Sequence, residues 1–194
     1  MTLAACNLRV NPFGAPFRHE RGHLAVPAVD LEILRRRLEG RRCAIQLLGR
    51  PGSGKSTHLC ALHERFPNAP LTIVPQHIGE GPVVFVDEAQ RARLDAERFR
   101  QSSWVLATHR SYQRELRRAG LEVYNVRLAG LMPPLLHRYV ALRMEWARLG
   151  PGPLPSIPAE IIEALWRTHG ADVRAIENGL YDWLQYRKDV LVVH

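Results

Sequence analysis

The sequence reads Gly49-Arg50-Pro51-Gly52-Ser53-Gly54-Lys55-Ser56-Thr57 at the point that decides its fold. This stretch matches the pattern GxxxxGK(S/T) of a phosphate-binding loop at every constrained position. The apolar run 43–48 before it predicts a buried strand, and the run 57–64 after it is able to continue as a helix. A loop of this kind between a strand and a helix is what phosphate binding requires, so a chance glycine-rich turn is the weaker alternative.

The loop residues have distinct expected tasks. The glycines let successive backbone N–H groups point at one cluster of phosphates, and the helix N-terminus adds a favourable dipole. Lys55 is expected to reach the β- and γ-phosphates, and the Ser56 hydroxyl to ligate Mg²⁺. The predicted nucleotide-binding residues in the loop are Gly49, Pro51, Gly52, Ser53, Gly54, Lys55, Ser56 and Thr57. No NKxD run, which would specify guanine, follows in the sequence.

A second apolar run, 83–86, ends in the adjacent acids Asp87 and Glu88. It is short and rich in β-branched and aromatic residues, which favours a buried parallel strand whose end lies at the same sheet edge as the phosphate loop. Asp87 is expected to hold Mg²⁺, and Glu88, pointing differently, to polarise the attacking water as general base. The alternative is that both acids cap a helix over 91–100. Adjacent acids favour hydrolysis by water over transfer to a metabolite.

The run 104–107 predicts a further strand that ends in polar residues. Thr108 or His109 is expected to lie between the phosphate-binding loop and the Asp87-Glu88 pair. There it would hydrogen-bond the γ-phosphate or the attacking water. A plain turn from strand to loop is the alternative. Residues 111–118 predict a short helix closed by Gly120, and residues 121–126 predict another strand.

The composition is that of an ordinary globular chain. Of its 194 residues 46% are hydrophobic and 24% are charged, and no run approaches the roughly 18–20 apolar residues of a bilayer span. The N-terminus lacks a signal-peptide pattern. Cys6, Cys43 and Cys60 show no CxxC spacing, which fits free thiols in a reducing compartment. We therefore expect a cytoplasmic protein that does not use a membrane.

The formal charge of +8 indicates an acidic partner such as DNA or RNA. Only Lys55 and Lys188 among the 27 basic residues are lysines, however, and the arginines are scattered apart from a cluster at 35–37, 41 and 42. Such a bias also arises from genome composition. Nucleic-acid binding and a charge without that role both stay open at this point.

The stretch His19-Glu20-Arg21-Gly22-His23 matches the zinc-protease signature HExxH. That chemistry needs a regular helix, which places both imidazoles on one metal. Pro16 and Pro27 bracket the stretch and Gly22 interrupts it, so we do not expect a zinc site here.

The chain resembles the AAA+ superfamily of P-loop ATPases in the order of its motifs. The motifs follow one another in the same order as in that family: the phosphate loop, the two strands ending in Asp87-Glu88 and Thr108-His109, an arginine-rich helix and a last strand. Asp87-Glu88-Ala89-Gln90 is similar to the DEAQ-type Walker B motif of transposition-helper and secretion-associated ATPases. The resemblance implies an α/β fold, with a P-loop NTPase parallel sheet flanked by helices and followed by a small C-terminal helical lid. It also implies ATP and Mg²⁺ as ligands.

The resemblance also assigns roles to the ends of the chain. It implies an N-terminal linker over 1–28, an ATPase core over 29–128 and a helical lid over 129–194. The helices predicted for the lid cover 133–149, 158–169 and a segment from 173 onwards. In the linker, Pro12 and Phe13 are expected to lie against the adenine. In the lid, residues 170–174 resemble the sensor 2 segment, which makes Arg174 a γ-phosphate contact. The apolar tail 190–194 has two alternative interpretations, a strand and a contact with a partner.

Arg114, Arg117 and Arg118 lie just before the last predicted strand, where AAA+ proteins have an arginine finger. A guanidinium supplied by a neighbouring subunit stabilises the charge of the transferring phosphoryl group, so hydrolysis would depend on assembly into a homo-oligomer. Arg117 and Arg118 are both candidates, and the sequence does not choose between them. The alternative is a solvated helix face.

The second predicted strand, 71–74, departs from the family. Only eight residues separate Val74 from Val83, whereas a parallel crossover takes about a dozen or more. Either the helix expected there has been lost, or the strand is irregular. Because that region often has substrate-contacting loops in the family, its absence argues against processive translocation or unfolding.

The leading hypothesis is a Mg-ATP-dependent AAA+ ATPase that assembles through nucleotide at its subunit interfaces. We expect it to act on or with DNA and partner proteins, as a transposition helper or loader. One alternative is a non-hydrolysing, nucleotide-gated interaction module. The other is a small-molecule P-loop kinase, against which the Asp87-Glu88 pair and the lid-like tail argue.

Overall fold

The computed structural model describes residues 2–40 and 42–186, which form two compact units. One unit is Arg18–Ala129. The other combines the N-terminal residues up to Phe17 with the residues from Gly130 onwards. The apolar tail 190–194, for which a strand or a partner contact was open, lies outside the described residues.

The Arg18–Ala129 unit is built on a five-stranded parallel sheet. Its strands in chain order are β1 Cys43–Leu48, β2 Leu71–Ile73, β3 Val83–Asp87, β4 Ser103–Thr108 and β5 Glu122–Arg127. In space they lie in the order β2-β3-β4-β1-β5, and every neighbouring pair is parallel. The strand that leads to the phosphate loop is therefore separated by β4 from the strand that ends in Asp87. The predicted α/β fold with a P-loop NTPase parallel sheet is confirmed.

Helices cover both faces of this sheet. They are α1 Leu31–Gly40, α2 Lys55–His63, α3 Ala96–Phe99 and α4 Gln113–Arg118. On one face α1 and α2 pack with Ile45 and Val105, and on the other α3 and α4 pack with Trp104 and Leu106. Neighbouring strand residues thus belong to opposite clusters, because side chains alternate along a strand. Strands buried on both faces explain the continuous apolar runs of the sequence.

Two connections in this unit resolve or correct the sequence predictions. The described connection 74–82 between β2 and β3 contains no helix, which agrees with the first of the two alternatives, a missing crossover helix. The predicted helix over 91–100 is wrong, because a 3-10 turn at Ala89–Arg91 is followed by extended chain before α3 begins. The Asp95 carboxylate accepts from the backbone N–H of Arg98 at 2.9 Å and so starts a new helix there.

The second unit is helical and includes the N-terminal segment. Its helices are α5 Pro133–Trp146, α6 Ala159–His169 and α7 Val173–Tyr186. α5 ends before the predicted residue 149, because Leu8 and Arg148 form an antiparallel bridge and Asn7 accepts from the Leu149 N–H at 2.9 Å. The three-part division into linker, core and lid stays a prediction, and the structure groups the residues up to Phe17 with these helices.

Two expectations from composition can be compared with the described residues. Across residues 2–40 and 42–186, no helix has the length and apolar character needed to cross a bilayer. Cys6, Cys43 and Cys60 are buried, and none of them forms a disulfide with a described residue. Burial, reinforced by Glu122, raises the pKa of the Cys43 thiol to about 11, so this cysteine is a packing residue rather than a nucleophile.

Candidate functional site

The phosphate loop joins the end of β1 to the first turn of α2. Gly52 and Gly54 have φ of 78° and 87°, a left-handed conformation that side-chain-bearing residues adopt only with strain. Gly54 is the N-cap residue of α2 and, being glycine, provides no side-chain cap for the N–H groups of the first helical turn. Such a turn attracts an anion through its N–H groups and through the helix dipole. Pro51 is exposed on the loop, and Thr57 is half-buried in the first turn.

The start of the loop is closely packed. A Cβ at Gly49 would lie 2.3 Å from Ser53 Oγ and 2.6 Å from the Leu128 carbonyl oxygen, so only glycine fits there. Ser53 Oγ is buried and has no hydrogen-bond partner among the described residues. A buried hydroxyl without a partner is costly unless a ligand or water supplies one. This loop therefore fits a bound phosphate group.

Lys55 lies across the phosphate loop. Its Nζ donates to the carbonyl oxygens of Gly49 and Arg50, at 2.9 and 2.7 Å. These contacts hold the ammonium group at the loop that it is predicted to serve. A phosphate oxygen placed over the loop would exchange with these carbonyls as an acceptor, since an ionised acceptor makes the stronger bond.

The two predicted magnesium ligands lie together. Ser56 is in the first turn of α2 and Asp87 ends β3, and the Ser56 hydroxyl donates to Asp87 Oδ1 at 3.0 Å. Asp87 is only 6% exposed. A hydroxyl and a carboxylate are hard oxygen ligands, and Mg²⁺ commonly takes only one or two protein ligands beside phosphate and water. This pair fits such an ion, and the described residues contain no cluster of three or more acidic, histidine or cysteine side chains for another metal.

The HExxH stretch does not form the regular helix that a zinc site of this kind requires. Its residues His19 and Glu20 lie in a 3-10 turn that gives way to irregular turns rather than to a regular helix. His23 lies near Glu64 instead, with 3.5 Å between Nδ1 and the carboxylate.

Glu88 follows Asp87 but points elsewhere. Its backbone is left-handed, with φ 55° and ψ 36°, which turns its side chain away from that of its neighbour. Glu88 Oε2 accepts from Gln90 Nε2 at 2.7 Å and lies 3.5 Å from Arg91 Nε. The acids do not cap a helix over 91–100, since that helix is not formed. The general-base role of Glu88 stays a prediction that this geometry is compatible with.

The predicted phosphate contact of Thr108 stays a prediction, and the structure shows how its hydroxyl is engaged. It ends β4, the strand between β1 and β3, so it lies at the predicted sheet edge. Its hydroxyl, however, donates to the Arg110 carbonyl at 2.9 Å and accepts from the Arg110 N–H at 3.0 Å, and the residue is fully buried. The structure thus favours the alternative of a strand-to-loop turn over a direct phosphate contact by Thr108. His109 is exposed and remains the candidate for that contact.

The three candidate finger residues share one exposed surface. Arg114, Arg117 and Arg118, with Gln113, line an open depression of about 560 Å³ on α4. The helix ends at Arg118 with Ala119 as its C-cap, and Gly120 follows with φ 75° and an N–H that donates to the Arg117 carbonyl, in agreement with the predicted closing glycine. The surface is accessible to a neighbouring molecule, and the choice between Arg117 and Arg118 stays a prediction.

The remaining predicted site residues belong to the helical unit. Phe13 is only 4% exposed, so little of its ring is available to an adenine. Pro12 is also buried, and its carbonyl accepts from the fully buried guanidinium of Arg143. Arg174 is exposed in the first turn of α7. The adenine contacts of Pro12 and Phe13 and the γ-phosphate contact of Arg174 stay predictions.

The buried His58 side chain hydrogen-bonds to the backbone of two separate segments, a role that the sequence did not predict. Its Nδ1 lies 2.9 Å from the Gly54 carbonyl, and its Nε2 accepts from the Ala28 N–H at 3.0 Å. The second contact assigns the ring proton to Nδ1, which donates to Gly54. Burial lowers the pKa of His58, so the ring is neutral at pH 7. A lone histidine on a helix gives no sequence signal for this role.

Gln46 and Tyr112 belong to a buried hydrogen-bond network that the sequence did not predict. Gln46 is fully buried in β1, and its Oε1 accepts from the Tyr112 N–H at 2.6 Å. The Tyr112 hydroxyl donates to the Ala89 carbonyl at 2.8 Å, and burial raises the pKa of Tyr112, which keeps this donor protonated. A glutamine inside an apolar strand is the signal that could have revealed the network, because buried amides are hydrogen-bonded.

Comparisons with known proteins give only distant likenesses. No protein-family model matches the chain, and no curated protein matches it significantly. Among solved structures it is similar to a Signal Transduction ATPase with Numerous Domains (STAND) protein from Pyrococcus horikoshii, with TM-score 0.45 and 10% identity over 77% of this chain and 29% of that one. It is also similar to the RuvB Holliday junction branch migration motor of Thermotoga maritima, with TM-score 0.38 and 15% identity over 84% and 67%. At TM-scores below 0.5 these likenesses support no statement about activity.

Proposed function

We propose that this chain is a Mg-ATP-dependent ATPase of the AAA+ type with a DEAQ-type Walker B motif. The observation that supports this most is the 3.0 Å contact between Ser56 Oγ and Asp87 Oδ1. It joins the phosphate loop to the acidic strand end, and hydrolysis of a nucleoside triphosphate needs both at one place. The glycine-only positions and the unpartnered Ser53 hydroxyl support the same site from the phosphate side.

The residues of this site have complementary tasks in the proposal. Bound Mg²⁺ would neutralise charge on the phosphates. Ser56 and Asp87 would hold that ion, and Lys55 would contact the β- and γ-phosphates. Glu88 would accept a proton from the attacking water. Because Glu88 and Asp87 point differently, one carboxylate is able to serve the ion while the other serves the water.

We further propose that the chain works as a homo-oligomer in the cytoplasm, on or with DNA and partner proteins, as a transposition helper or loader. The exposed arginines of α4 support assembly, since a neighbouring copy could insert Arg117 or Arg118 beside the transferring phosphoryl group. The formal charge of +8 supports an acidic partner.

The test is steady-state ATP hydrolysis with and without duplex DNA, together with light scattering in ATP and in ADP. Glu88→Gln should lower turnover by about 10²–10⁴-fold while ATP still binds, because a general base is lost and the phosphate contacts remain. Glu80→Gln, at a side chain that is 75% exposed, is the matched control and should leave turnover unchanged. Full turnover in the Glu88→Gln protein would exclude Glu88 as base.

The finger is tested separately with Arg117→Ala and Arg118→Ala. The true finger variant should assemble and bind ATP but lose about 10³-fold or more in turnover. A variant whose assembled form keeps normal turnover excludes that arginine. If the wild type assembles without hydrolysing ATP and without a response to DNA, the finger role and the DNA role both fail.

One observation favours a second candidate, a nucleotide-gated interaction module with little or no hydrolysis. Glu88 Oε2 already accepts from Gln90 and lies near Arg91, so this oxygen is not available to take a proton from water. Tight ATP binding and ATP-dependent complex formation without phosphate release would support this candidate over the ATPase.

A further inference from the structure

Glu88 has an unusual backbone conformation. With φ 55° and ψ 36° it is one of only two non-glycine residues with positive φ among the described residues. A side-chain-bearing residue is strained in this left-handed region, and such strain persists only where the surroundings hold it in place. Residues held in this way concentrate at functional sites.

Hydrogen bonds to its main-chain groups hold the turn that contains Glu88. Its N–H donates to Asp87 Oδ1 at 3.0 Å, and its carbonyl accepts from the Arg91 N–H at 2.9 Å. The next carbonyl, that of Ala89, accepts from the Tyr112 hydroxyl at 2.8 Å. Because Tyr112 is only 1% exposed, the turn is tied to the interior of the sheet unit rather than to solvent.

The side chain of Glu88 is held by a different residue. Gln90 Nε2 donates to Glu88 Oε2 at 2.7 Å, the shortest contact of this carboxylate. Arg91 Nε is 3.5 Å from the same oxygen, but its side chain is 66% exposed, so solvent and salt weaken that ion pair. Gln90 therefore determines where the Glu88 carboxylate lies.

The other end of the Gln90 amide is also informative. Gln90 Oε1 is buried and has no hydrogen-bond partner among the described residues. An unsatisfied buried acceptor is unfavourable, so stability alone does not account for a glutamine here. An apolar side chain of the same length would avoid that unfavourable group but could not donate to Glu88.

We propose that Gln90 is a positioning residue for the general base Glu88, an inference that rests on the proposed ATPase function. In hydrolysis the water oxygen bonds to the γ-phosphorus, the bond from that phosphorus to the bridging oxygen breaks, and the water proton passes to Glu88. By donating to Oε2, Gln90 leaves Oε1 of Glu88 as the oxygen that receives the proton. It also removes rotational freedom from a side chain that otherwise has several rotamers.

The test compares kcat and KM of Gln90→Leu and of Gln90→Met, which keeps the side-chain length, with wild type. Both should lower kcat by about 10–100-fold and leave KM within about twofold, because the base is misplaced and no phosphate contact is lost. Gln101→Leu is the matched control, since Gln101 is exposed at the opposite end of β4 and should leave both constants unchanged. Two variants guard against one that fails to fold.

A double-mutant cycle separates positioning from a general structural effect. Once Glu88→Gln has removed the base, adding Gln90→Leu should cause no further loss of turnover. Independent, multiplying losses would overturn the inference, as would a Gln90→Leu protein with normal kcat beside an inactive Glu88→Gln protein. If the wild type itself does not hydrolyse ATP, the proposed function fails and this inference with it. The two failures are thus distinguishable.

Discussion

Replacing Tyr112 by phenylalanine removes one hydroxyl from the interior of the sheet unit and keeps the ring. That hydroxyl donates to the Ala89 carbonyl at 2.8 Å, and Tyr112 is 1% exposed. A buried neutral hydrogen bond contributes about 0.5–1.5 kcal/mol net. The Ala89 carbonyl keeps its bond from the Ala92 N–H at 3.0 Å, so it is not left fully unsatisfied. We therefore expect Tyr112→Phe to lower the free energy of unfolding by about 1 kcal/mol.

Urea unfolding and thermal melting measure this loss. For a chain of this length, about 1 kcal/mol corresponds to a fall in Tm of about 2–4 °C. Tyr181→Phe is the matched control, because that side chain is exposed and should change stability by less than about 0.5 kcal/mol. Tyr112→Ala should cost about 3–5 kcal/mol, since it also removes a ring that packs 5.9 Å from Phe99 between ring centres.

Two results would refute this reasoning. If Tyr112→Phe were as stable as wild type, the hydroxyl would not hold the Ala89 turn in solution. If it lost as much as Tyr112→Ala, the turn would depend on this bond far more than the second donor to Ala89 allows. The pH dependence is a further check. Since burial raises the pKa of Tyr112 above its ordinary value, its contribution should be complete below about pH 10 and be lost as the pH rises above that.

Three further changes test other parts of the structure. Gly49→Ala should destabilise the protein by about 1–3 kcal/mol in thermal melting and abolish ATP binding in a nucleotide titration, because its Cβ would lie 2.6 Å from a backbone carbonyl oxygen. Gly40→Ala is the control and should be neutral or stabilising in the same experiments, because its Cβ would meet nothing within 4 Å. His58 has a lowered pKa, so its stabilising contribution is present above about pH 6.5 and lost as the pH falls below that; His58→Gln should flatten this part of the pH–stability curve, and an unchanged curve would contradict a buried neutral ring. Arg143→Ala should lower the free energy of unfolding in urea by about 3–5 kcal/mol, because the fully buried guanidinium binds two carbonyls of the N-terminal segment and lies 3.5 Å from the Glu177 carboxylate. Arg138→Ala, at an exposed side chain, is the control and should stay within about 0.5 kcal/mol of wild type.

Strands β1, β3 and β4 were predictable because their side chains are buried on both faces of the sheet. Parallel strands in such a sheet are continuous apolar runs, and Cys43–Leu48 and Val83–Asp87 appear as such runs in the sequence. The helix predicted over 91–100 failed for a local reason. The competing signal was Asp95, whose carboxylate starts a separate helix at Ala96, and a strong N-cap inside a helical pattern was not recognised as a break.

The candidate site was predictable to a similar degree and for a related reason. The phosphate loop and the Asp87-Glu88 pair are local patterns in which each residue type is required by the chemistry. Thr108 was assigned from its place at a strand end, but a hydroxyl at that place is equally able to bond the backbone two residues on, and it does so. Sequence position alone does not distinguish the two uses.

The amino-acid sequence is sufficient to predict a phosphate-binding loop at Gly49–Thr57 between a strand and a helix, because glycine at left-handed positions and lysine beside a hydroxyl are requirements of a few adjacent residues. The 3.0 Å contact between Ser56 and Asp87, and the support that Tyr112 gives to the turn after Asp87, are visible only in the folded molecule. Those contacts join residues that are far apart in the chain, and they depend on the order in which the strands are placed in the sheet. Strand order results from packing over the whole unit, and no local pattern encodes it.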